Sequence, residues 1–153
     1  MNVNHAEKAC RLFSEGYNCA QSVFLAYCDI TGMDENTALK LSSSFGGGIG
    51  RMREVCGACS GMFMVAGLLY GYTGNDDDKT KAEHYKRIQL LASEFKKEHQ
   101  TIICRELLKN LSVTNTPTPD KRTEEYYKVR PCVRFVRTAC EVMDKYISEN
   151  PLK

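Results

Sequence analysis

The chain has 153 residues, of which 42% are apolar and 26% are charged, and its formal net charge is +2. This length predicts a single domain over residues 1–153 and excludes a second large domain. The composition excludes a chain that stays disordered. A net charge this close to zero gives no reason to expect a polyanionic partner. The unusual feature of the composition is its eight cysteines.

Apolar periodicity and turn residues predict an all-α protein, folded as a compact bundle of five or six helices. The fourth predicted helix is apolar on nearly every side and is expected at the centre of the bundle. A phase change in the apolar stripe of the fifth predicts a kink between His99 and Cys104. Pro131 either kinks the last helix or begins a new one, and residues 110–120 are expected to form a long loop. The predicted helices cover residues 4–14, 19–30, 34–42, 56–70, 79–111 and 123–147.

The sequence predicts a cytoplasmic protein without membrane insertion. It opens with no basic leader and hydrophobic stretch, so no secretory signal is expected. The longest apolar stretch, residues 62–69, is far shorter than the ~20 residues that span a bilayer. Basic side chains are scattered among acidic ones, which disfavours nucleic acid as a partner. In a reducing cytosol, clustered cysteines are more often ligands or redox groups than structural disulfides.

Three cysteines fall where a predicted helix begins. Cys19 follows the capping residue Asn18. Cys56 opens the central helix, and Cys132 follows Pro131. Free N–H groups and the helix dipole stabilise a thiolate at a helix N-terminus, so the pKa of all three thiols is expected to fall. One cysteine at a helix start is more often simple packing, but three together favour a functional site.

The other five cysteines are less distinctive. Cys104 lies inside the fifth predicted helix, where on its own it would be a buried apolar residue. Cys59 forms a C-x-x-C pair with Cys56, and on a helix both sulfurs could reach one metal ion or each other. No strand precedes this pair, as a thioredoxin-type site requires. Three further cysteines occupy apolar positions and are expected to pack in the core: Cys10, Cys28 and Cys140.

A glycine-rich run, residues 45–50 (FGGGIG), precedes the central helix. It lacks the spacing and the preceding strand of a dinucleotide site. The favoured interpretation is a loop whose glycines let the backbone lie close to a helix end; an anion nest, or a backbone that donates N–H groups to sulfur, are the alternatives. None of the three histidines has ligand spacing to another.

Six segments carry a joint pattern: 16–21 (GYNCAQ), 45–50 (FGGGIG), 56–61 (CGACSG), 67–71 (GLLYG), 104–108 (CRELL) and Cys132. This pattern resembles the C_GCAxxG_C_C family of redox-active proteins, and the resemblance covers most of the chain. It implies that Gly57 and Gly61 are motif glycines, and the family pattern does not require Cys59. The implied signature cysteines are Cys19, Cys56, Cys104 and Cys132.

The resemblance implies redox activity. A similar helical module is associated with an iron–sulfur cluster in split-Soret cytochromes, although this chain has no C-x-x-C-H haem site. Four thiolates suit a [2Fe–2S] or [4Fe–4S] cluster, or zinc. We therefore expect a small electron-transfer protein whose iron–sulfur cluster is held by the four signature cysteines. Basic residues expected to offset the cluster's negative charge are Arg51, Arg53, Arg130 and Arg134.

Two other functions fit the sequence. The first is a cofactor-free thiol–disulfide oxidoreductase, in which Cys56 attacks and Cys59 or another signature cysteine resolves the intermediate. The second is a zinc-stabilised interaction module, in which metal supports folding without a redox change. A redox partner protein is expected for the electron-transfer protein and for the oxidoreductase. Separately, the helices next to the central helix would tolerate a homodimer face.

Overall fold

The computed structural model describes residues 4–75 and 77–153. These residues form nine helices and no strand, which confirms the all-α class. Six of the helices have at least eight residues and correspond to the predicted bundle, while three shorter ones lie between them. The helices are α1 (His5–Ser14), α2 (Cys19–Ala26), α3 (Cys28–Thr31), α4 (Glu35–Ser43), α5 (Gly57–Tyr70), α6 (Asp78–His99), α7 (Cys104–Leu107), α8 (Glu124–Val129) and α9 (Cys132–Glu149).

Helix α5 lies at the centre of the bundle, as its apolar composition predicts. It packs against α2, α3, α6 and α9. Its residues Ala58, Met62 and Val65 are completely buried. Its largest contact is with α2, which also packs against α1, α4 and α9. The α2–α5 pair therefore forms the middle of the core.

Two glycines of α5 allow this pair to pack closely. A Cβ atom added at Gly57 would lie 2.9 Å from the carbonyl oxygen of Phe45 and 3.0 Å from the backbone nitrogen of Ala20. A Cβ atom added at Gly61 would lie 3.0 Å from the carbonyl oxygen of Ala20 and 3.0 Å from Cβ of Val23. Side chains at these positions would push the helices apart, which gives the two motif glycines a packing role.

The predicted helix 79–111 is interrupted where the kink was expected. Helix α6 ends at His99, and Gln100 adopts a left-handed conformation with φ of 69°. The chain then runs extended, and Ile103 pairs with Val55 in an isolated antiparallel bridge. Cys104 therefore begins α7, and the prediction that it lies inside a long helix is wrong. The reason is that pairing with a distant segment replaces helical hydrogen bonds here.

Two other predicted helices are also divided. The predicted helix 19–30 breaks at Tyr27, where a ψ of 6° ends α2 before the short α3. At the C-terminal end, α8 stops at Val129 and α9 begins directly after Pro131, so Pro131 begins a new helix. Residues 108–123 form the long loop and contain no helix.

Within the described ranges, no helix combines the length and the apolar character needed to cross a bilayer.

Candidate functional site

The four signature cysteines line one cavity of about 320 Å³. They come from four separate parts of the chain, and each lies at the start of a helix. Cys19, Cys104 and Cys132 are the first residues of α2, α7 and α9. Cys56 is the residue that caps α5. The structure thus brings together all four residues that the sequence pattern selected, including Cys104, for which no helix start was expected.

Cys56 and Cys104 are held side by side by the isolated bridge. The backbone N–H of Cys56 donates to the carbonyl of Ile102 at 2.7 Å. The backbone N–H of Cys104 donates to the carbonyl of Glu54 at 2.6 Å. These bonds fix the backbone on both sides of the bridge, so the relative position of the two cysteines does not depend on α5 packing against α7.

The glycine-rich loop lies against two residues of the cavity. A Cβ atom added at Gly46 would lie 2.6 Å from the side chain of Asn18, which caps α2 just before Cys19. A Cβ atom added at Gly48 would lie 2.7 Å from Cβ of Cys104. This confirms the interpretation of the run as a loop whose glycines let the backbone lie close to a helix end.

The same loop holds an unusual backbone conformation. Residues 47–51 all have positive φ, and so does Arg53, with φ of 62°. Three of these residues are not glycines, and Ile49, with φ of 67°, is β-branched, for which this conformation is strained. Backbone strain of this kind persists where the surrounding structure enforces it, commonly at functional sites. Here it accompanies two arginines, Arg51 and Arg53, that line the cavity.

Cys19 and Cys132 form a hydrogen-bonded pair in which the two thiols differ in acidity. The pKa of Cys132 is lowered to about 7, because the Cys19 thiol donates a hydrogen bond to it and, against the effect of burial, Arg130 and Arg122 favour the thiolate. The pKa of Cys19 is raised well above its ordinary value by the same hydrogen bond, by burial and by the neighbouring cysteines. The predicted fall is thus confirmed for Cys132 and wrong for Cys19, since the proton of the pair stays on Cys19.

Arg53 connects the thiols to the basic part of the cavity. Its Nη1 donates to Sγ of Cys104 at 3.8 Å. The pKa of Cys104 is nevertheless raised, because burial of the thiol outweighs the hydrogen bond and charge of Arg53. The other terminal nitrogen of Arg53, Nη2, is buried and has no hydrogen-bond partner among the described residues.

Three arginines converge on one carboxylate. Oδ2 of Asp120 lies 2.8 Å from Nη2 of Arg130, 3.2 Å from Nη1 of Arg51 and 3.9 Å from Nη2 of Arg53. Arg134, also predicted near the site, is exposed and does not line the cavity. It follows Cys132 by two residues, and on a helix that spacing places two side chains on nearly opposite faces.

Arg122 and Tyr126 also line the cavity, and the sequence pattern did not single them out. The guanidinium groups of Arg122 and the predicted Arg130 both lie over the ring of Tyr126, with their central carbons 4.9 and 5.0 Å from the ring centre. Burial and the nearby Cys132 raise the pKa of Tyr126 to about 12. Arg122 and Arg130 lie just outside the two ends of α8 (Glu124–Val129), so their contact with Tyr126 depends on how the chain enters and leaves this helix, and helical spacing in the sequence does not predict it.

Cys59 lies outside the cavity. It is completely buried in the core, and its pKa is raised well above the ordinary value by burial and by a hydrogen bond to Cys56. The structure therefore places Cys59 beside Cys56 in the core, but not on the cavity that Cys56 lines. The remaining cysteines, Cys10, Cys28 and Cys140, pack against the core as predicted.

The donors in the cavity are of the kind that hold iron–sulfur clusters or zinc, since thiolates are ligands for both. Within residues 4–75 and 77–153, no three His, Cys, Asp or Glu side chains are grouped so that they could hold one metal ion. The buried Nη2 of Arg53 provides an unused hydrogen-bond donor in the cavity that the four cysteines line.

Comparison with known proteins agrees with this site. A family model described as "Putative redox-active protein (C_GCAxxG_C_C)" matches residues 17–146. No curated protein and no solved structure matches the chain. The matched segment is most of the chain and contains all four cavity cysteines, the glycine-rich loop and the two packing glycines of α5. The chain therefore belongs to the C_GCAxxG_C_C family of redox-active proteins.

Proposed function

We propose that this protein transfers electrons through an iron–sulfur cluster held by Cys19, Cys56, Cys104 and Cys132. The observation that carries the proposal is that these four cysteines, from four separate segments, line one cavity together with arginine side chains. When bound, such a cluster supplies one-electron oxidation and reduction.

The residues of this chain prepare the cavity for anionic sulfur. Thiols must lose their protons to act as ligands, so binding releases protons from Cys19 and Cys104, whose pKa values are raised. Cys132, with its pKa lowered to about 7, is the thiol that deprotonates most readily of these three. Arg53 donates to Cys104, and its positive charge offsets the charge of the thiolates. Hydrogen bonds and positive charges near the sulfurs raise the reduction potential of such a site.

The test is metal loading under strictly anaerobic conditions. We expect the wild-type protein, reconstituted with ferrous iron and sulfide, to bind both and to absorb visible light. Serine variants of each cavity cysteine should lose most of the iron and sulfide. Cys28→Ser is the matched control, because Cys28 lies outside the cavity and packs on the core surface. A wild-type sample that binds neither iron nor sulfide after reconstitution would refute the proposal.

Metal analysis also separates the cluster from structural zinc. A zinc-stabilised interaction module would take up zinc without sulfide, and its folding would depend on the metal with no change on reduction. The zinc alternative would be favoured if the protein binds zinc and not iron, with the same number of zinc ions per chain after purification from cells and after reconstitution.

A second candidate, thiol–disulfide exchange, is favoured by the hydrogen-bonded pair Cys19 and Cys132. In this reaction the Cys132 thiolate attacks a substrate disulfide, forming a mixed disulfide and releasing one substrate thiolate. Cys19, after losing its proton, then attacks the sulfur of Cys132. The second substrate thiolate leaves, the substrate has gained two electrons, and Cys19 and Cys132 are joined as a disulfide.

The reaction of the metal-free, reduced protein with a small aromatic disulfide tests this candidate. The rate should rise as the pH passes through about 7, because the pKa of Cys132 has that value and the thiolate is the nucleophile. Cys132→Ser should lower the rate at least about tenfold, whereas Cys59→Ser should leave it unchanged because Cys59 lies outside the cavity. Equal rates in Cys132→Ser and wild type would exclude this pair.

A further inference from the structure

The arginines of the cavity carry more positive charge than the groups around them balance. Four arginines line the cavity, and the acidic side chain among its lining residues is Asp120. The side chains of Arg51, Arg53 and Arg130 are 14%, 7% and 10% exposed, so their charges are largely removed from water. Buried charges without partners are costly and require a counter-ion or a ligand.

Two of the three guanidinium groups are held in place by backbone carbonyls of the loop of residues 108–123. Nε of Arg51 donates to the carbonyl of Thr116 at 2.7 Å, and Nε of Arg53 donates to the carbonyl of Thr114 at 3.0 Å. Because these bonds use the Nε atoms, Nη1 of Arg51 and Nη2 of Arg53 lie toward Asp120. The other terminal nitrogens donate elsewhere, Nη2 of Arg51 to Oγ1 of Thr114 and Nη1 of Arg53 to Sγ of Cys104. The result is a fixed set of converging donors, which is the arrangement that oxyanions require.

Asp120 does not accept a hydrogen bond from every arginine of this set. Its carboxylate accepts from Arg51 and Arg130, but it lies 3.9 Å from Nη2 of Arg53, which has no hydrogen-bond partner in the part of the chain described. The carboxylate side chain is 39% exposed and sits on a loop, so it can move away. An anion with oxygens on several sides could contact all three guanidinium groups at once.

We propose that this arginine cluster, Arg51, Arg53 and Arg130, binds a small polyoxygen anion of the sulfate or phosphate class, which takes the place of Asp120. The site does not depend on whether the thiols hold a cluster. If the proposed function also holds, the anion lies one guanidinium group away from Sγ of Cys104, one of the proposed cluster ligands.

Isothermal titration calorimetry of sulfate and of phosphate into the metal-free, reduced protein at constant ionic strength tests the proposal. We expect one binding site, weakened about tenfold or more in Arg53→Gln, because hydrogen bonds to charged groups have that effect. Asp120→Asn should bind sulfate more tightly, since the competing carboxylate is gone; a merely structural Asp120 would not have this effect. Arg137→Gln, exposed on α9 and outside the cavity, is the control and should bind as the wild type does.

Arg130→Gln is a second test in case Arg53→Gln does not fold, and it should also weaken sulfate binding. The helical circular dichroism of each variant shows whether it has folded. Sulfate binding that is equal in wild type, Arg53→Gln and Arg130→Gln would overturn the proposal. Acetate binding as tightly as sulfate would overturn the assignment to a polyoxygen anion.

Repeating the titration after anaerobic reconstitution separates this inference from the proposed function. Sulfate binding that persists beside bound iron supports both. Sulfate binding by a protein that takes up no iron supports the anion site and refutes the cluster. Complete loss of sulfate binding on iron loading would overturn the anion site, because the arginines would then serve only to neutralise the thiolates.

Discussion

His5 joins three helices through a partly buried charge cluster outside the cysteine cavity. Its Nδ1 lies 2.8 Å from Asp144 on α9, and its Nε2 lies 3.0 Å from Asp29 on α3. The ring stacks on Tyr27, whose hydroxyl also donates to Asp144. Burial of the imidazole opposes its protonation, but the hydrogen bonds and charges of the two carboxylates outweigh burial, so the pKa of His5 is raised.

The raised pKa predicts a specific dependence of stability on pH. Because the pKa is higher in the folded than in the unfolded chain, protonated His5 stabilises the fold fully below the unfolded-state value of about 6.5. This contribution is lost as the pH rises through the folded-state pKa. Urea unfolding of the reduced protein at several pH values should show the loss in wild type, and His5→Gln should remove it. A difference in unfolding free energy between the two proteins that stays constant with pH would contradict the prediction.

At the scale of elements, the close packing of α2 on α5 depends on glycine. Gly61→Ala places a methyl group 3.0 Å from the carbonyl of Ala20 and from Cβ of Val23. Such overpacking costs about 1–3 kcal/mol, which exceeds or offsets the ~1 kcal/mol that alanine gains over glycine in a helix. We expect a net loss of about 1 kcal/mol in unfolding free energy, measured by urea denaturation.

Gly67 provides the matched control in the same helix. A Cβ atom added there has nothing within 4 Å, so Gly67→Ala should stabilise the protein by up to about 1 kcal/mol through helix propensity alone. The two substitutions are chemically identical, but Gly61→Ala should lower the unfolding free energy and Gly67→Ala should raise it. Stabilisation by both would show that α2 and α5 can separate freely, contrary to a packing role for the motif glycine.

Local patterns in the sequence predicted the main helices, the central position of α5 and the helix starts at Cys19, Cys56 and Cys132. The position of Cys104 could not be predicted in this way, because it depends on Ile103 pairing with a segment almost fifty positions earlier in the chain. The raised pKa of Cys19 has a similar origin. It is set by which thiol of a pair from α2 and α9 keeps the proton, and no local pattern contains that information. Asp120 reaches the arginines only once the long loop has folded over the cavity.

At the scale of the whole molecule, the segment between α6 and α9 is held differently from the rest. The main helix contacts connect α1, α2, α4, α5, α6 and α9, and α8 has no fully buried residue. Residues 101–131 are held by the bridge to Val55 and by the arginine contacts with the loop. Hydrogen bonds from Arg122 to the carbonyls of Phe13 and Tyr17 hold them as well. Segments with few buried apolar contacts open at a lower free energy than the core, so a ligand that joins Cys104 to the other three cysteines should stabilise this segment most.

If the four cysteines hold the proposed cluster, removal of its iron has a predicted spatial pattern. A ligand that binds only the folded chain stabilises it by about 2.7 kcal/mol when present at 100 times its dissociation constant, which for a chain of this size raises the melting temperature by several degrees. Hydrogen–deuterium exchange of the reconstituted protein should be slow in residues 101–131 and should accelerate there when a chelator removes the iron under anaerobic conditions. Amides in the middle of α5 should change little on the same timescale.

Cys132→Ser, which should bind little iron, serves as the control, and its residues 101–131 should exchange rapidly with or without the chelator. A uniform change across α5 and residues 101–131 would mean that iron stabilises the bundle as one unit, and the segment would then have no separate dependence on the cysteine site.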